Sequence, residues 1–139
     1  MKSSSIKAHM NAVKGYAEQS HARRLKVGAL IVNNDRPIIS GRNGTPPGKD
    51  NNCEIEVNGK LVTKPDVSHA EANAISYAAK HGVATDSASI FLTHSPCFTC
   101  SLLIINAGIK EVFYETEYRI TDSLDLLKEN NIKVQKIGA

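Results

Sequence analysis

The sequence predicts an α/β protein with a mixed five-stranded sheet covered by helices. Three observations carry this. In the second half, short β-branched and aromatic runs alternate with one-sided helical stripes, the pattern of crossover units and parallel pairing. In the first half, two strand-like runs flank a short polar turn, the pattern of an antiparallel hairpin. The chain has 139 residues, 41% apolar and 22% charged. Those values suit one domain spanning 1–139 with a single core, and they exclude a disordered or collagen-like chain.

The elements follow in order. Residues 6–20 place Ile6, Met10, Val13 and Ala17 on one apolar stripe, so they form a helix. Val27 to Val32 is a nearly continuous apolar run that ends at Asn33-Asn34-Asp35, a strand buried on both faces; Pro37 to Gly41 pairs with it. Residues 43–52 contain two Pro and two Gly and form a loop. Glu54-Ile55-Glu56-Val57 and Lys60-Leu61-Val62-Thr63 flank Asn58-Gly59, the signal of a small hairpin. A helix runs from Ser68 to about Lys80 with Ala72, Ile75 and Ala79 on one side, and Gly82 stops it. Residues 89–93 form a strand. Pro96 opens a helix over 97–107 that Gly108 closes. Residues 109–114 form a strand, 121–130 a helix with Thr121 or Asp122 as N-cap, and 132–137 the last strand.

Charge and cysteine usage narrow the function. Seventeen basic and fourteen acidic residues leave +3, which permits an anionic ligand without the basic tract of a duplex-binding domain. The run Leu102-Leu103-Ile104-Ile105 is far too short to span a bilayer, and Met1 to Lys7 has no apolar core of a secretory signal. Three cysteines, two of them in a C-x-x-C pair, do not make a secreted disulfide scaffold. A cytoplasmic protein with reduced or metal-bound cysteines is expected.

The chemistry lies in two blocks. His69-Ala70-Glu71 opens one predicted helix and Pro96-Cys97-Phe98-Thr99-Cys100 opens another. One imidazole and two thiolates suit zinc. Cys97 and Cys100 are i and i+3, neighbours on one helix face, and a helix N-terminus favours the thiolate. Three protein ligands leave a fourth tetrahedral position for water, the mark of a catalytic site. The metal lowers the pKa of that water, and Glu71, not needed as a ligand, is placed to accept its proton and pass it on. A thioredoxin-like redox pair is an alternative, but it leaves His69 and Glu71 unexplained. So is a structural zinc held together with Cys53. Glu71 as a plain helix-start carboxylate is the third.

H-x-E followed by P-C-x-x-C is the signature of zinc-dependent nucleobase deaminases. Over residues 8–135 the chain resembles the cytidine deaminase-like superfamily, and within it the deoxycytidylate (dCMP) deaminases. The residues that carry the likeness are Lys26 to Val32, Gly41-Arg42-Asn43-Gly44-Thr45-Pro46-Pro47-Gly48, His69 to Ile75, Thr93 to Cys100, and Ile104 to Lys110. The zinc blocks are shared by the superfamily, and the Asn-Gly-Thr-Pro-x-Gly loop points to dCMP.

The resemblance implies a three-layer α-β-α sandwich and hydrolytic deamination of dCMP to dUMP and ammonia, a step toward dTMP. It implies one catalytic zinc on His69, Cys97 and Cys100, attack of zinc-activated water on C4 of cytosine, and proton delivery by Glu71 to N3 and then the leaving amine. It also implies that Asn43 binds the sugar hydroxyl, the Ala70 amide the pyrimidine carbonyl, and the Ser95 carbonyl the leaving amine. For the phosphate, Arg23, Arg24, Lys26, Arg42 and Lys49 are candidate cations, and the Gly44 and Thr45 amides form a candidate anion nest. Tyr118 is a candidate to stack on the base. Relatives of this type imply a homohexamer, dCTP activation, dTTP inhibition and Mg2+ accompanying the effector nucleotide. Some carry a second zinc, for which only Cys53 offers a ligand here. His94 is expected at a strand end beside the site, and His9, His21 and His81 at the surface. Other classes are a deaminase of another base or nucleoside and a non-catalytic zinc-stabilised nucleotide sensor. With no Trp and 5% aromatics, a polynucleotide substrate is disfavoured.

Overall fold

A computed structural model describes residues 1–118 and 122–138. Its main sheet is built from β1 (Gly28–Asn33), β2 (Arg36–Arg42), β5 (Ser89–His94), β6 (Glu111–Thr116) and β7 (Lys133–Lys136), in the order β2-β1-β5-β6-β7. β1 runs antiparallel to β2 and to β5, whereas β5, β6 and β7 are parallel. The pairing is mixed for the reason read in the sequence. A tight turn at Asn34-Asp35, both at positive φ, makes the antiparallel pair. Helices α3 (Phe98–Asn106) and α4 (Asp122–Glu129) carry the chain back between parallel strands. Two more helices, α1 (Ser3–Ala17) and α2 (Ala70–Lys80), complete the layers, and a separate hairpin joins β3 (Glu54–Val57) to β4 (Lys60–Thr63).

Strand alternation divides the core in two. Leu30, Val32, Phe91 and Phe113 face α1 and its Met10 and Val13. Ala29, Ile31, Ile90, Leu92, Val112 and Tyr114 face the other way, with Ala74 of α2, Ile104 of α3 and Leu127 of α4. The sheet is therefore covered on both sides, as the three-layer α-β-α sandwich requires. Phe91 and Phe113 stack with ring centroids 4.5 Å apart at the centre of the α1 side.

Three expectations need correction. His9 is buried, not superficial: its ring sits 5.2 Å from Phe91, and its Nε2 lies 2.9 Å from Asp35 Oδ1, tying α1 to the β1–β2 turn. Helix α1 begins at Ser3 and ends at Ala17, because the polar Ser3-Ser4-Ser5 carries no apolar periodicity but accepts helical backbone. The buried face of α2 is Ala70, Ala74 and Ala78, not the stripe through Ala72 and Ala79. In an alanine-rich helix both stripes have helical spacing, and the sheet chooses between them. Thr121 lies outside the described residues, and Asp122 is the first residue of α4.

The choice of face is visible at Gly41 of β2. A Cβ there would stand 2.6 Å from the Ala70 carbonyl oxygen and 2.8 Å from the Ala74 amide, so α2 rests directly on bare backbone. Asn73 Nδ2 donates to the Arg42 carbonyl (2.7 Å) and fixes the same contact. Gly41→Val should therefore destabilise the fold by about 1–3 kcal/mol, since α2 has to lift off the sheet. Urea unfolding of the variant measures this, and a shift within 0.5 kcal/mol of zero, itself about the size of a neutral surface change, would refute the contact.

Candidate active site

The parallel strand β5 ends at His94, where its neighbours differ in direction: β1 is antiparallel and β6 parallel. Beyond that end, Ser95-Pro96-Cys97 turns into α3. From the other side, α2 brings its N-terminus to the same place, set by Gly41. Two helix starts thus meet beyond the carboxyl end of a strand, the position where open α/β sheets place ligands.

His69 is the N-cap of α2 and Cys97 the N-cap of α3, both with extended backbone. His69 Nδ1 lies 3.5 Å from Cys97 Sγ and 3.4 Å from Cys100 Sγ. The three ligand atoms all fall within 4.8 Å of one another, and among the described residues they are the one His/Cys/Asp/Glu group so arranged. With Zn–S near 2.3 Å and Zn–N near 2.0 Å, a tetrahedral N···S edge is about 3.5 Å. The spacing therefore fits zinc, and the donor set of one nitrogen and two soft sulfurs fits it chemically. Cys53 is buried and borders the same cavity, but it is not part of the group.

The electrostatics prepare the ligands. Hydrogen bonds from the Cys100 thiol and from His69 pull the Cys97 thiol well below its ordinary range, and the Cys100 amide adds to them. Cys100 is pushed upward by its bond to Cys97 and by burial, so Cys97 ionises first. A dication bound between them would hold both as thiolates. His69 is raised chiefly by its bond to Cys97, against the effect of burial. Glu71, only 4% exposed, has its carboxyl pushed up to about 7, mainly by burial. That value suits a group which both accepts and returns a proton near neutral pH.

These residues open into a cavity of about 470 Å³ that His69, Ala70, Glu71 and Cys97 line together with Asn43, Arg24, Leu25 and Tyr118. Asn43 braces the wall: Oδ1 accepts from the Val27 amide (2.9 Å) and Nδ2 donates to the Leu25 carbonyl (2.8 Å). Tyr118 is pinned by its amide, which donates to Ser95 Oγ (2.8 Å), and its ring lies 5.7 Å from that of His94. Thr93 Oγ1 accepts from the Gly28 amide and lies 2.8 Å from His94 Nδ1, within hydrogen-bonding distance. His94 is thereby placed at the strand end beside the site.

The other candidates separate. Arg42, Gly44, Thr45 and Lys49 line a neighbouring cavity between the 43–49 loop and α2. Lys26 is exposed, with Nζ 3.4 Å from the Glu18 carbonyl. Ser95 is fully buried behind Tyr118. Of the cations weighed for the phosphate, Arg24 is the one that lines the zinc-ligand cavity among the described residues. Glu54 and Thr63 also line it and went unnoticed in the sequence, because hairpin alternation gives no sign that one end faces a cavity.

A family model for the cytidine and deoxycytidylate deaminase zinc-binding region matches residues 3–116. The chain belongs to that family. A dCMP deaminase from the cyanophage S-TIM5, solved in complex with dCMP and dUMP, superposes with a TM-score of 0.92 at 42% identity, covering 99% of each chain. The deoxycytidylate deaminase of Mycobacterium phage D29 is 34% identical over 112 residues, 73% of this chain and 86% of that protein. ComE operon protein 2 of Bacillus subtilis is 38% identical over 125 residues, 87% of this chain, and the match spans 65% of the Bacillus protein's length. Membership of the deaminase family accounts for the paired helix starts, the ligand triad and the acid beside it.

Proposed function

We propose that the 139 residues form one zinc-dependent domain that deaminates dCMP hydrolytically, giving dUMP and ammonia. The observation that carries this is one cavity lined by His69 and Cys97 of the His69-Cys97-Cys100 group, by the buried Glu71 and, as the one cation among the described residues, by Arg24. In the reaction the C4–N bond breaks and a C4–O bond forms from water. His69, Cys97 and Cys100 would hold the zinc, which would make a water acidic enough to attack near neutral pH. Glu71 accepts one proton of that water and passes it to N3, then takes the second from the new C4 hydroxyl and delivers it to the leaving amine, so that C4=O forms as ammonia departs. The start of α2 leaves the Ala70 amide without an intrahelical partner, free for the pyrimidine carbonyl. The Ser95 carbonyl accepts from the leaving amine. Asn43 retains one lone pair and one N–H for the sugar hydroxyl after bracing the wall. Tyr118 covers the base, and Arg24 binds the 5′-phosphate.

An ultraviolet assay with dCMP, dCTP, cytidine and dAMP tests this reading. Turnover of dCMP above the others is expected, and faster turnover of cytidine would reject it. Arg24→Gln should raise KM for dCMP by about 10- to 100-fold, the size of one lost charge-assisted contact, with a smaller effect on kcat. An unchanged KM would move the phosphate elsewhere, with Lys26 and Arg42 the next cations to substitute. A homohexamer, dCTP and dTTP as effectors with Mg2+, and a cytoplasmic location belong to the same proposal, supported by the resemblance and by cysteine usage. No helix among the described residues is long and apolar enough to cross a membrane.

A further inference from the structure

We propose that Glu54 is a positioning residue for phosphate recognition, holding the Arg23-Arg24 backbone so that the Arg24 guanidinium stands in the cavity. The inference rests on the dCMP reading above. Glu54 begins β3, yet it is 1% exposed, while the rest of the β3–β4 hairpin is open to solvent. A buried carboxylate is sustained only by strong hydrogen bonds. Here Oε2 accepts from two successive amides, Arg23 (2.9 Å) and Arg24 (3.1 Å), and Oε1 lies 3.4 Å from Arg23 Nε. Successive amides converging on one oxygen form an anion nest, filled in this protein by its own side chain. Burial alone would raise the carboxyl, but the two amides and the guanidinium outweigh it and keep Glu54 below the usual carboxylate range.

The other end of Arg24 is held by the same hairpin. Arg24 Nη1 donates to Thr63 Oγ1 at 2.9 Å, and Thr63 is the cross-strand partner of Glu54. One residue pair of the hairpin therefore grips Arg24 twice, by backbone and by side chain. The hairpin buries little apolar surface, so a purely packing role for Glu54 is weak. What the pair fixes is the position of the one cation that, among the described residues, lines the cavity of His69 and Cys97.

The test uses Glu54→Gln, Glu54→Asp and Thr63→Val, assayed with dCMP and with deoxycytidine, which lacks the phosphate. Zinc content and melting temperature are read on each, and the affinity for dUMP is measured by calorimetry. Glu54→Gln should raise KM for dCMP about ten- to a hundredfold, as expected of a misplaced binding group, with kcat falling far less. The dUMP dissociation constant should rise, and the preference for dCMP over deoxycytidine fall, by the same factor. Glu54→Asp should restore part of the loss, and combining Glu54→Gln with Arg24→Gln should add little to Arg24→Gln alone. If Glu54→Gln does not fold, Thr63→Val at the solvent-facing strand end should show the same split in weaker form. Equal losses on both substrates with an unchanged preference, or full additivity with Arg24→Gln, would overturn the inference. A wild-type protein with no preference for dCMP over deoxycytidine would instead defeat the dCMP reading. Wild-type preference retained in all three variants would defeat only the role of Glu54.

Discussion

Glu71→Gln should lower kcat for dCMP by about 10²- to 10⁴-fold while the protein keeps one zinc per chain. Gln has the shape and polarity of Glu but neither accepts nor releases a proton near neutral pH. Glu71 lies outside the His69-Cys97-Cys100 group, so removing its charge takes no ligand from the metal. The fold should not suffer. Burial disfavours the ionised carboxyl, and an uncharged side chain of equal volume at 4% exposure relieves that penalty. A melting temperature equal to or above wild type is expected. Parallel ultraviolet assay and elemental analysis separate proton transfer from metal binding. Turnover within tenfold of wild type would remove Glu71 from the chemistry, and loss of zinc together with activity would make it a ligand.

Local rules explain which parts of this molecule were legible in the sequence. The ligand triad depends on short-range geometry. Cys97 and Cys100 share a helix start because they are three apart, and His69 caps the helix that carries Glu71 two residues later. The strands were legible because β1 and β5 are apolar on both faces and are bounded by turn residues. The buried face of α2 was not, because alanine fits either stripe, and the decision lay with Gly41 in a strand that precedes the helix by a long loop and a hairpin. Nor could one arginine be chosen from five candidate cations. Arg24 lines the cavity and is held by Glu54 and Thr63, thirty and thirty-nine residues away, and no periodicity encodes such a contact. The Asn-Gly-Thr-Pro-x-Gly loop shows the same limit. Asn43 reaches the cavity, while Gly44 and Thr45, its immediate successors, face the neighbouring one, because Gly44 bridges to Ser68 just ahead of His69.

Cys100→Ala should remove zinc and abolish turnover. Cys100 is buried at 3% exposure, and its sulfur is one of the three atoms placed to hold a metal ion. With one sulfur gone, only His69 and Cys97 remain, both at helix N-caps with no third donor in their group. The loss should appear in stability as well as activity. A ligand at a thousand times its dissociation constant stabilises the fold by about 4 kcal/mol. Wild-type protein should therefore melt lower after treatment with a chelator, whereas Cys100→Ala should melt at the same temperature with or without one. That insensitivity separates metal loss from a packing defect, because a cavity left by the missing sulfur lowers the melting temperature in both conditions alike. A Cys100→Ala protein that still carries one zinc per chain, or whose melting still responds to the chelator, would show that the metal is held by other residues.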